Sequence, residues 1–400
     1  MEDAKAYVPI DLLSQLVKGI ALLILLGLCA GCAFGPWQGV RPSQSTVPTA
    51  SVLPGFSTPS VSPLASRSGV SISALCQMPL PTDWASSLAK NIVTRQAGIS
   101  VAPVTALGDK IVVRVSSGSS SWVEERSGSK ARRVMTLNDV NDVYLAEYAG
   151  SDLVLYAFDN PNLDSPFTLF YWSSKTGNVT KIGASARDSQ GRPIATPFIR
   201  PLVAGPYVYW SQTLSSDPAR TVTFRYDTTS GAKLQASPNF GLTPVALGSD
   251  MLLQPVVDDP QGQRYFKALR LDLSPADLPG ALAGVSGVNS VASDGTTVVW
   301  TIGSDIEYWR AGWSAPRLLR TTFGPLWETT VSGDIATFSS TARTVVVDLR
   351  SGAWTPVTTE YGSSSAINGW LIVGDPPAVK GATPDSHLVK IASLSPLPSC

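Results

Sequence analysis

A short β-branched run that follows a glycine-bearing or small turn recurs seven times along this chain, as in GDKIVVR and DGTTVVW. The runs end at equivalent positions, which are Arg114, Tyr156, Trp210, Gln254, Trp300, Phe338 and Gly374. A strand-sized unit that repeats in this way cannot bury its own apolar face, so neighbouring copies must cover it. The interval between copies is close to that of a four-stranded propeller blade, about 40–50 residues.

Most copies contain a second repeated feature, an apolar strand that ends in a hairpin turn. Examples are FYWSSKTG, FRYDTTSG and VVVDLRSG, which end at Gly177, Gly231 and Gly352. Glycine allows the positive φ of a tight turn, and the Ser or Thr before it forms local hydrogen bonds. One more short strand follows, as in NVTKIG and AWTPVT. The sequence therefore predicts an all-β fold, a β-propeller of four-stranded antiparallel blades over residues 72–400. Seven blades are expected, with six or eight left open.

Two segments depart from the repeat. TDWASSLAKNIV, residues 82–93, favours a short helix, and Thr82 or Asp83 is its expected cap. The seventh copy is weak at its end, and we expect GVSISALC, residues 69–76, to supply its outer strand. Such a strand exchange would close the ring.

An apolar stretch at residues 19–31, GIALLILLGLCAG, follows Lys18. It is shorter than a bilayer-spanning helix, which needs about 20 residues, and it has the length of a signal-peptide core. Its end, Leu28 to Cys32, resembles the lipobox of bacterial lipoproteins, which implies that Cys32 is lipidated and begins the mature chain. We therefore predict a signal peptide over residues 1–31. An ordinary cleaved signal or a short retained anchor is the alternative.

Residues 32–71 contain the predicted lipidated start and a linker. From Pro36 to Ser68 the sequence is rich in Pro, Ser and Thr and contains no acidic residue. Such a segment cannot bury enough apolar surface to fold, and its prolines keep it extended. We interpret it as a tether that holds the propeller away from a membrane, and a tail without a role is the alternative. The protein is thus expected outside the cytoplasm, lipid-anchored at the cell membrane or envelope.

The cysteine positions agree with export. Cys76 lies just before the first blade, and Cys400 is the last residue. The first and last blades of a propeller are neighbours, and an exported protein is in a compartment where disulfides persist. We predict a Cys76–Cys400 disulfide that closes the ring, and two free thiols are the alternative.

Strands that end in YVYW at Trp210 and VVW at Trp300, followed by a loop and then YDTTSG or VDLRSG, resemble TolB-like β-propeller repeats of exported bacterial proteins. The resemblance covers about residues 97–398 and is one of repeat style, and that family usually has six blades. It implies a protein-binding or scaffold module.

Signatures of catalysis and cofactor binding are mostly missing from the sequence. Its one histidine, His387, is interpreted as a surface or structural residue, because a general base needs a positioned nucleophile beside it. The sequence contains no G-x-S-x-G elbow, phosphate loop or dinucleotide fingerprint, and too few His and Cys residues for a zinc site. We therefore predict no catalytic residue, no cofactor and no metal site. Two superficial likenesses, Ser293 to Trp300 to a sialidase Asp-box and Asp159 to Ser165 to a calcium loop, are interpreted as inter-strand loops.

The expected function is binding, as a non-enzymatic scaffold or receptor module for a protein or an envelope glycan. The 30 basic residues balance 30 acidic ones without a basic run, which argues against a nucleic-acid partner. Aromatic residues at the repeated position are expected to pack between blades, with an exposed ligand-binding ring as the alternative. Contacts are expected in three insertions, 158–166, 212–220 and 256–264, because loops on a rigid scaffold concentrate binding residues. An extracytoplasmic carbohydrate-active enzyme that uses carboxylates in the central funnel is the alternative function.

Overall fold

The computed structural model describes most of the chain from Ser71 onward. The described residues are 71–93, 98–137, 142–158, 166–194, 200–216, 219–236, 241–257, 262–323, 326–340, 344–358, 362–375 and 385–399. The predicted signal peptide, the lipidation site Cys32 and the linker lie outside them, and so does Cys400.

An N-terminal segment precedes the repeats and contains two short strands and a helix. These are β1 (Ser71–Ala74), β2 (Cys76–Gln77) and α1 (Thr82–Lys90). Among the described residues, no helix is long and apolar enough to cross a membrane.

The first four sheets each contain four antiparallel strands that are adjacent in chain order. Blade 1 contains β3 (Ile99–Leu107), β4 (Lys110–Ser117), β5 (Ser120–Ser127) and β6 (Lys130–Leu137). Blade 2 contains β7 (Asp142–Ala149), β8 (Asp152–Phe158), β9 (Phe167–Trp172) and β10 (Val179–Ala184). Blade 3 contains β11 (Leu202–Ala204), β12 (Tyr207–Ser216), β13 (Ala219–Asp227) and β14 (Lys233–Gln235). Blade 4 contains β15 (Val245–Leu247), β16 (Met251–Val256), β17 (Tyr265–Arg270) and β18 (Pro275–Ala276).

The remaining sheets follow the same order, with a 3₁₀ turn before them at Gly280–Leu282 and another after them at Ile391–Ser393. Blade 5 contains β19 (Ser290–Ser293), β20 (Thr297–Ile302), β21 (Asp305–Arg310) and β22 (Arg317–Arg320). Blade 6 contains β23 (Trp327–Ser332), β24 (Ile335–Ser339), β25 (Thr344–Asp348) and β26 (Ala353–Pro356). Blade 7 contains the three strands β27 (Ser363–Ile367), β28 (Trp370–Gly374) and β29 (Ser386–Lys390).

The seven sheets form a ring. The innermost strand of each blade contacts that of the next, and β28 and β29 of blade 7 contact β3 of blade 1. The protein is therefore a seven-bladed β-propeller, which confirms the predicted fold class. The turn chemistry was also predicted correctly: Gly108, Gly118 and Gly128, in the three hairpin turns of blade 1, all have a positive φ of 56–59°.

The repeated position lies in the second strand of every blade, as the periodicity predicts. Its aromatic members Tyr156, Trp210, Trp300 and Phe338 are at most 2% exposed, which confirms the packing interpretation. Trp210 shows how blades fit together: it stacks on Phe224 of its own blade at 5.4 Å. On its other side it contacts Gly183 of blade 2, where an added Cβ would lie 2.8 Å from the indole ring. A glycine is therefore required in β10 for blade 3 to approach blade 2.

The N-terminal segment does not complete blade 7 in the predicted way. Strand β1 pairs in parallel with β22 of blade 5, and β2 pairs in parallel with β26 of blade 6. The outer edge of blade 7 is instead bonded by residues that follow α1: Ile92 bridges to His387, and the Val93 N–H donates to the Ser386 carbonyl at 2.8 Å. The prediction for residues 69–76 was therefore wrong. The segment passes the outer edges of blades 5, 6 and 7 in turn before entering blade 1.

Helix α1 has the predicted position, but its predicted cap is wrong. The residue before its first turn is Pro81, and no side chain caps it. Asp83 instead accepts a hydrogen bond from the Ser395 N–H at 3.3 Å. The Trp84 indole, which is fully buried, donates to the Ser395 carbonyl at 2.8 Å. The helix therefore holds the C-terminal tail of the chain.

Candidate functional site

The inner strands of the seven blades enclose a central channel with a volume of about 870 Å³. Most of its wall is apolar or carries Ser and Thr hydroxyl groups. Charged groups are few in the described part of the wall, and they are Glu147, Arg200, Arg264, Asp294 and Glu328. These charges and the tyrosines beside them define the candidate site.

A hydrogen bond joins opposite walls of the channel. Tyr144 on β7 of blade 2 donates its phenol O–H to Glu328 Oε1 on β23 of blade 6, at 3.2 Å. The other carboxylate oxygen, Oε2, accepts from the Ser339 hydroxyl at 3.1 Å. Blades 2 and 6 are three positions apart in a ring of seven, so they face each other. The Tyr144–Glu328 pair therefore bridges the channel.

Local irregularities in the two strands present these side chains. The β7–β8 register shifts between Val143 and Leu145, on either side of Tyr144. The β23–β24 register shifts between Trp327 and Thr330, and Glu328 has a positive φ of 49°. A β-bulge redirects a side chain, and a positive φ in a residue other than glycine is strained. Such features concentrate at functional sites, which is why we consider this pair first.

The protonation of Tyr144 follows from its surroundings. Burial raises the pKa of the Tyr144 phenol, and the Glu328 carboxylate raises it further by its charge and by the hydrogen bond. Tyr144 therefore remains a neutral hydrogen-bond donor at physiological pH.

A second pair lies between blades 2 and 3. The Arg200 Nε donates to Glu147 Oε1 at 3.0 Å, and both side chains are largely buried. Burial raises the pKa of Glu147 above its usual value, although the Arg200 charge opposes the change. The channel carboxylates Glu147 and Glu328 thus both have bonded partners.

His387 lies away from the channel, on β29. Its Nδ1 is 2.9 Å from the Leu88 carbonyl oxygen, and its Nε2 is 2.9 Å from Asp375 Oδ2. It therefore connects helix α1 to blade 7, in agreement with the structural role inferred for it.

The Asp-box-like string is an inter-strand turn, as predicted. The Asp294 carboxylate accepts from the backbone N–H groups of Thr296 and Thr297 in its own turn. Its other oxygen accepts from the Gly333 N–H of blade 6 at 2.7 Å. Asp294 therefore fastens blade 5 to blade 6.

The structure describes only parts of the three predicted contact insertions. Asp159 to Ser165 lie outside the described residues, as do 217–218 and 258–261 within the other two insertions. Among the residues that are described, no group of three or more His, Cys, Asp and Glu side chains is arranged to hold a metal ion.

Sequence reasoning did not single out Tyr144, Glu147, Arg200 or Glu328, and it included Arg264 only as the last residue of the insertion 256–264. A signal was present for two of them. Glutamate occurs in the first strand of two repeats, in VYLAEYA and WETTVS, where the other copies have mainly apolar residues, Ser and Thr. A charged residue in the innermost strand of a propeller faces either its neighbouring blades or the channel, so it could have been identified.

Comparisons with known proteins identify the fold and no family. No protein-family model matches the chain, and no curated protein is similar to it in sequence. Among solved structures, an oligogalacturonate lyase from Vibrio parahaemolyticus has a TM-score of 0.51 and 8% sequence identity, over 74% of this chain and 92% of that one.

Two further similar structures come from Pyrococcus species. The β-propeller domain of the Trilobed protease from Pyrococcus furiosus has a TM-score of 0.49 and 9% identity, over 74% of this chain and 94% of that one. An acylaminoacyl peptidase from Pyrococcus horikoshii has a TM-score of 0.48 and 8% identity, over 72% of this chain and 51% of that one. Enzymes and non-enzymatic domains share this fold, so these similarities carry no information about activity.

Proposed function

We propose that this chain is an exported, lipid-anchored β-propeller that acts by binding a protein or an envelope glycan at the end of its channel. The observation that carries the proposal is the Tyr144–Glu328 hydrogen bond across the channel. Bulged strands present both groups from a rigid ring. A cavity of this size is within the range of small-ligand sites, about 300–1,000 Å³.

The hydrogen bonds of the channel carboxylates favour a binding function over a catalytic one. A general base needs an oxygen within reach of the substrate proton. Both oxygens of Glu328 already accept hydrogen bonds, and Glu147 is held by Arg200. A ligand with hydroxyl or amide groups exchanges hydrogen bonds with these side chains, which is how polar groups fix the orientation of a ligand.

A carbohydrate-active enzyme is the second candidate, because the cavity is lined by carboxyl groups, among them Glu147 and Glu328. Glycosidases use such a pair, one carboxyl group as an acid and the other as a base or nucleophile. The raised pKa of Glu147 is the property expected of the acid. In this candidate, Arg200 would have to move from Glu147 during the reaction.

Matched tyrosine variants test the channel as the binding site. Tyr144→Phe is expected to weaken capture of the partner several-fold, because it removes the phenol that faces the channel. Tyr171→Phe is the control: this phenol also donates to a carboxylate, Asp152, but outside the channel lining. The measurement is affinity capture from envelope extract with mass spectrometry, together with a glycan-binding panel.

Two outcomes would contradict the binding proposal. Equal capture by both variants and the unaltered protein would remove the channel from the binding site. Turnover of a glycan that is abolished by Glu147→Gln, without capture of a stable partner, would favour the enzyme.

Lipid attachment at Cys32 rests on the sequence. Incorporation of labelled palmitate is expected in the unaltered protein and in Cys29→Ser, and its loss is expected in Cys32→Ser. Cys29 is a matched control because it lies three residues away in the same apolar stretch. Unchanged labelling of Cys32→Ser would exclude this anchor.

A further inference from the structure

Arg264 is a positively charged residue of the channel wall that belongs to neither the Tyr144–Glu328 pair nor the Glu147–Arg200 pair. It precedes β17 in blade 4, and its backbone is fixed, since its carbonyl accepts from the Val288 N–H at 3.3 Å. The next residue, Tyr265, forms a bridge with Ser286. The Arg264 side chain therefore extends from an ordered part of the blade.

The Arg264 side chain forms no hydrogen bond or ion pair with a described residue, unlike the partly buried Arg200 and Arg225. Its Nε is buried and has no hydrogen-bond partner in the described part of the chain. Burial lowers the pKa of Arg264, and no carboxylate among the described residues opposes that effect. By contrast, Arg200 has Glu147, and Arg225 donates to the Leu271 carbonyl at 3.1 Å. A buried guanidinium N–H without an acceptor disfavours the folded state, and a bound anion would remove that penalty.

Other polar atoms in the same wall are also without partners. The Thr329 Oγ1 on β23 and the Ser364 Oγ on β27 are buried and form no hydrogen bond with described residues. Buried hydroxyl groups are normally bonded to protein or to ordered water. They are neutral donors, so they can bond a negative ligand without repelling it.

We propose that the channel binds a ligand through an oxyanion, a carboxylate or a phosphate, which bonds to the guanidinium of Arg264. Arginine matches both groups because its planar fork donates two parallel hydrogen bonds. Neither Glu147 nor Glu328 forms an ion pair with Arg264; their carboxylates are bonded to Arg200 and to Tyr144 and Ser339.

This inference rests on the proposed function, because it names the chemistry of the ligand that the channel would bind. It also assigns two parts of such a ligand to different residues of the channel. The anionic group bonds Arg264, while uncharged hydroxyl or amide groups exchange hydrogen bonds with Tyr144 and Glu328.

Calorimetric titration of the full mature chain tests the inference. Sodium phosphate and sodium malonate are the two probes, at constant chloride, and comparing them distinguishes a phosphate from a carboxylate. At least one is expected to bind the unaltered protein. Arg264→Gln is expected to weaken that binding about tenfold or more, which is typical when a charged hydrogen-bond partner is removed. Arg264→Lys keeps the positive charge but lacks the planar guanidinium. Its affinity for the anion is expected to lie between those of the unaltered protein and Arg264→Gln.

Arg320→Gln is the matched control, since Arg320 is an exposed residue of the outer strand β22. It is expected to bind as the unaltered protein does, and circular dichroism checks that each variant is folded. Equal weakening by Arg320→Gln would indicate a general charge effect and overturn the inference. Failure of both probes to bind the unaltered protein would also overturn it. If a neutral glycan or a protein still binds and Tyr144→Phe weakens it, the proposed function stands without the anion.

Discussion

Replacement of Trp84 by alanine is expected to lower the free energy of unfolding by about 3–5 kcal/mol, the usual cost of removing a buried aromatic side chain. The indole is fully buried among residues of blades 6 and 7, including Val346, Leu371 and Val389. It also bonds the Ser395 carbonyl, so the substitution releases the C-terminal tail as well as leaving a cavity. Urea denaturation followed by far-ultraviolet circular dichroism measures the loss.

Trp370→Ala is the matched control for this loss. Trp370 begins β28 in blade 7 and is half-buried, and its ring is 5.2 Å from the Lys390 ammonium group. Because less of its apolar surface is buried, its removal is expected to lower the free energy of unfolding by a smaller amount, about 1–2 kcal/mol. Equal losses in the two variants would show that helix α1 and the tail add nothing to the cohesion of the last blades.

The blades could be predicted from the sequence because each one carries its own local signals. Turn residues such as Gly108 and Gly352 specify the hairpins, and the buried second strands provide the period. Both signals lie within a few residues of the structure that they specify. Aromatic packing at the repeated position was predictable for the same reason, since a residue that recurs at the same place in each blade meets the same neighbour.

The N-terminal pairings could not be predicted in this way. Strands β1 and β2 have four and two residues, too few for an alternating pattern, and they pair with blades 5 and 6. The repeat shows that blade 7 lacks an outer strand, but it does not show which segment fills the gap. Parallel pairing to an outer edge leaves no periodic signal in the added strand, because its partner supplies the apolar face.

The residues of the channel site could not be predicted from the sequence for a different reason. Tyr144 and Glu328 are 184 residues apart, and their contact depends on the ring geometry. It depends further on two bulges, whose positions are decided by backbone pairing and leave no turn residue in the sequence. The sequence limits such residues to the inner strands, and only the assembled ring shows which of them meet.

The second large expected effect is a loss of stability when the predicted Cys76–Cys400 disulfide, which would close the ring, is removed. Cys76 on β2 packs against the same apolar cluster as Leu394 and Leu397, and Leu397 is three residues before Cys400. The Leu397 N–H donates to the buried Asp348 carboxylate at 3.1 Å, so the tail is held beside blade 6, to which β2 also pairs. These contacts place Cys76 and the described end of the tail beside blade 6, and the disulfide stays a prediction because Cys400 lies outside the described residues.

Cys400→Ser is therefore expected to lower the free energy of unfolding by up to about 5–6 kcal/mol, because the bond would close a loop of roughly 325 residues. The measurement is urea denaturation of oxidised and reduced protein. Reduction should bring the unaltered protein to the stability of Cys400→Ser, and it should leave the stability of Cys400→Ser itself unchanged. A variant that combines Cys400→Ser with Trp84→Ala should lose less than the two separate losses together, because both changes release the same tail. Full additivity, or no effect of reduction, would show that this bond does not close the ring.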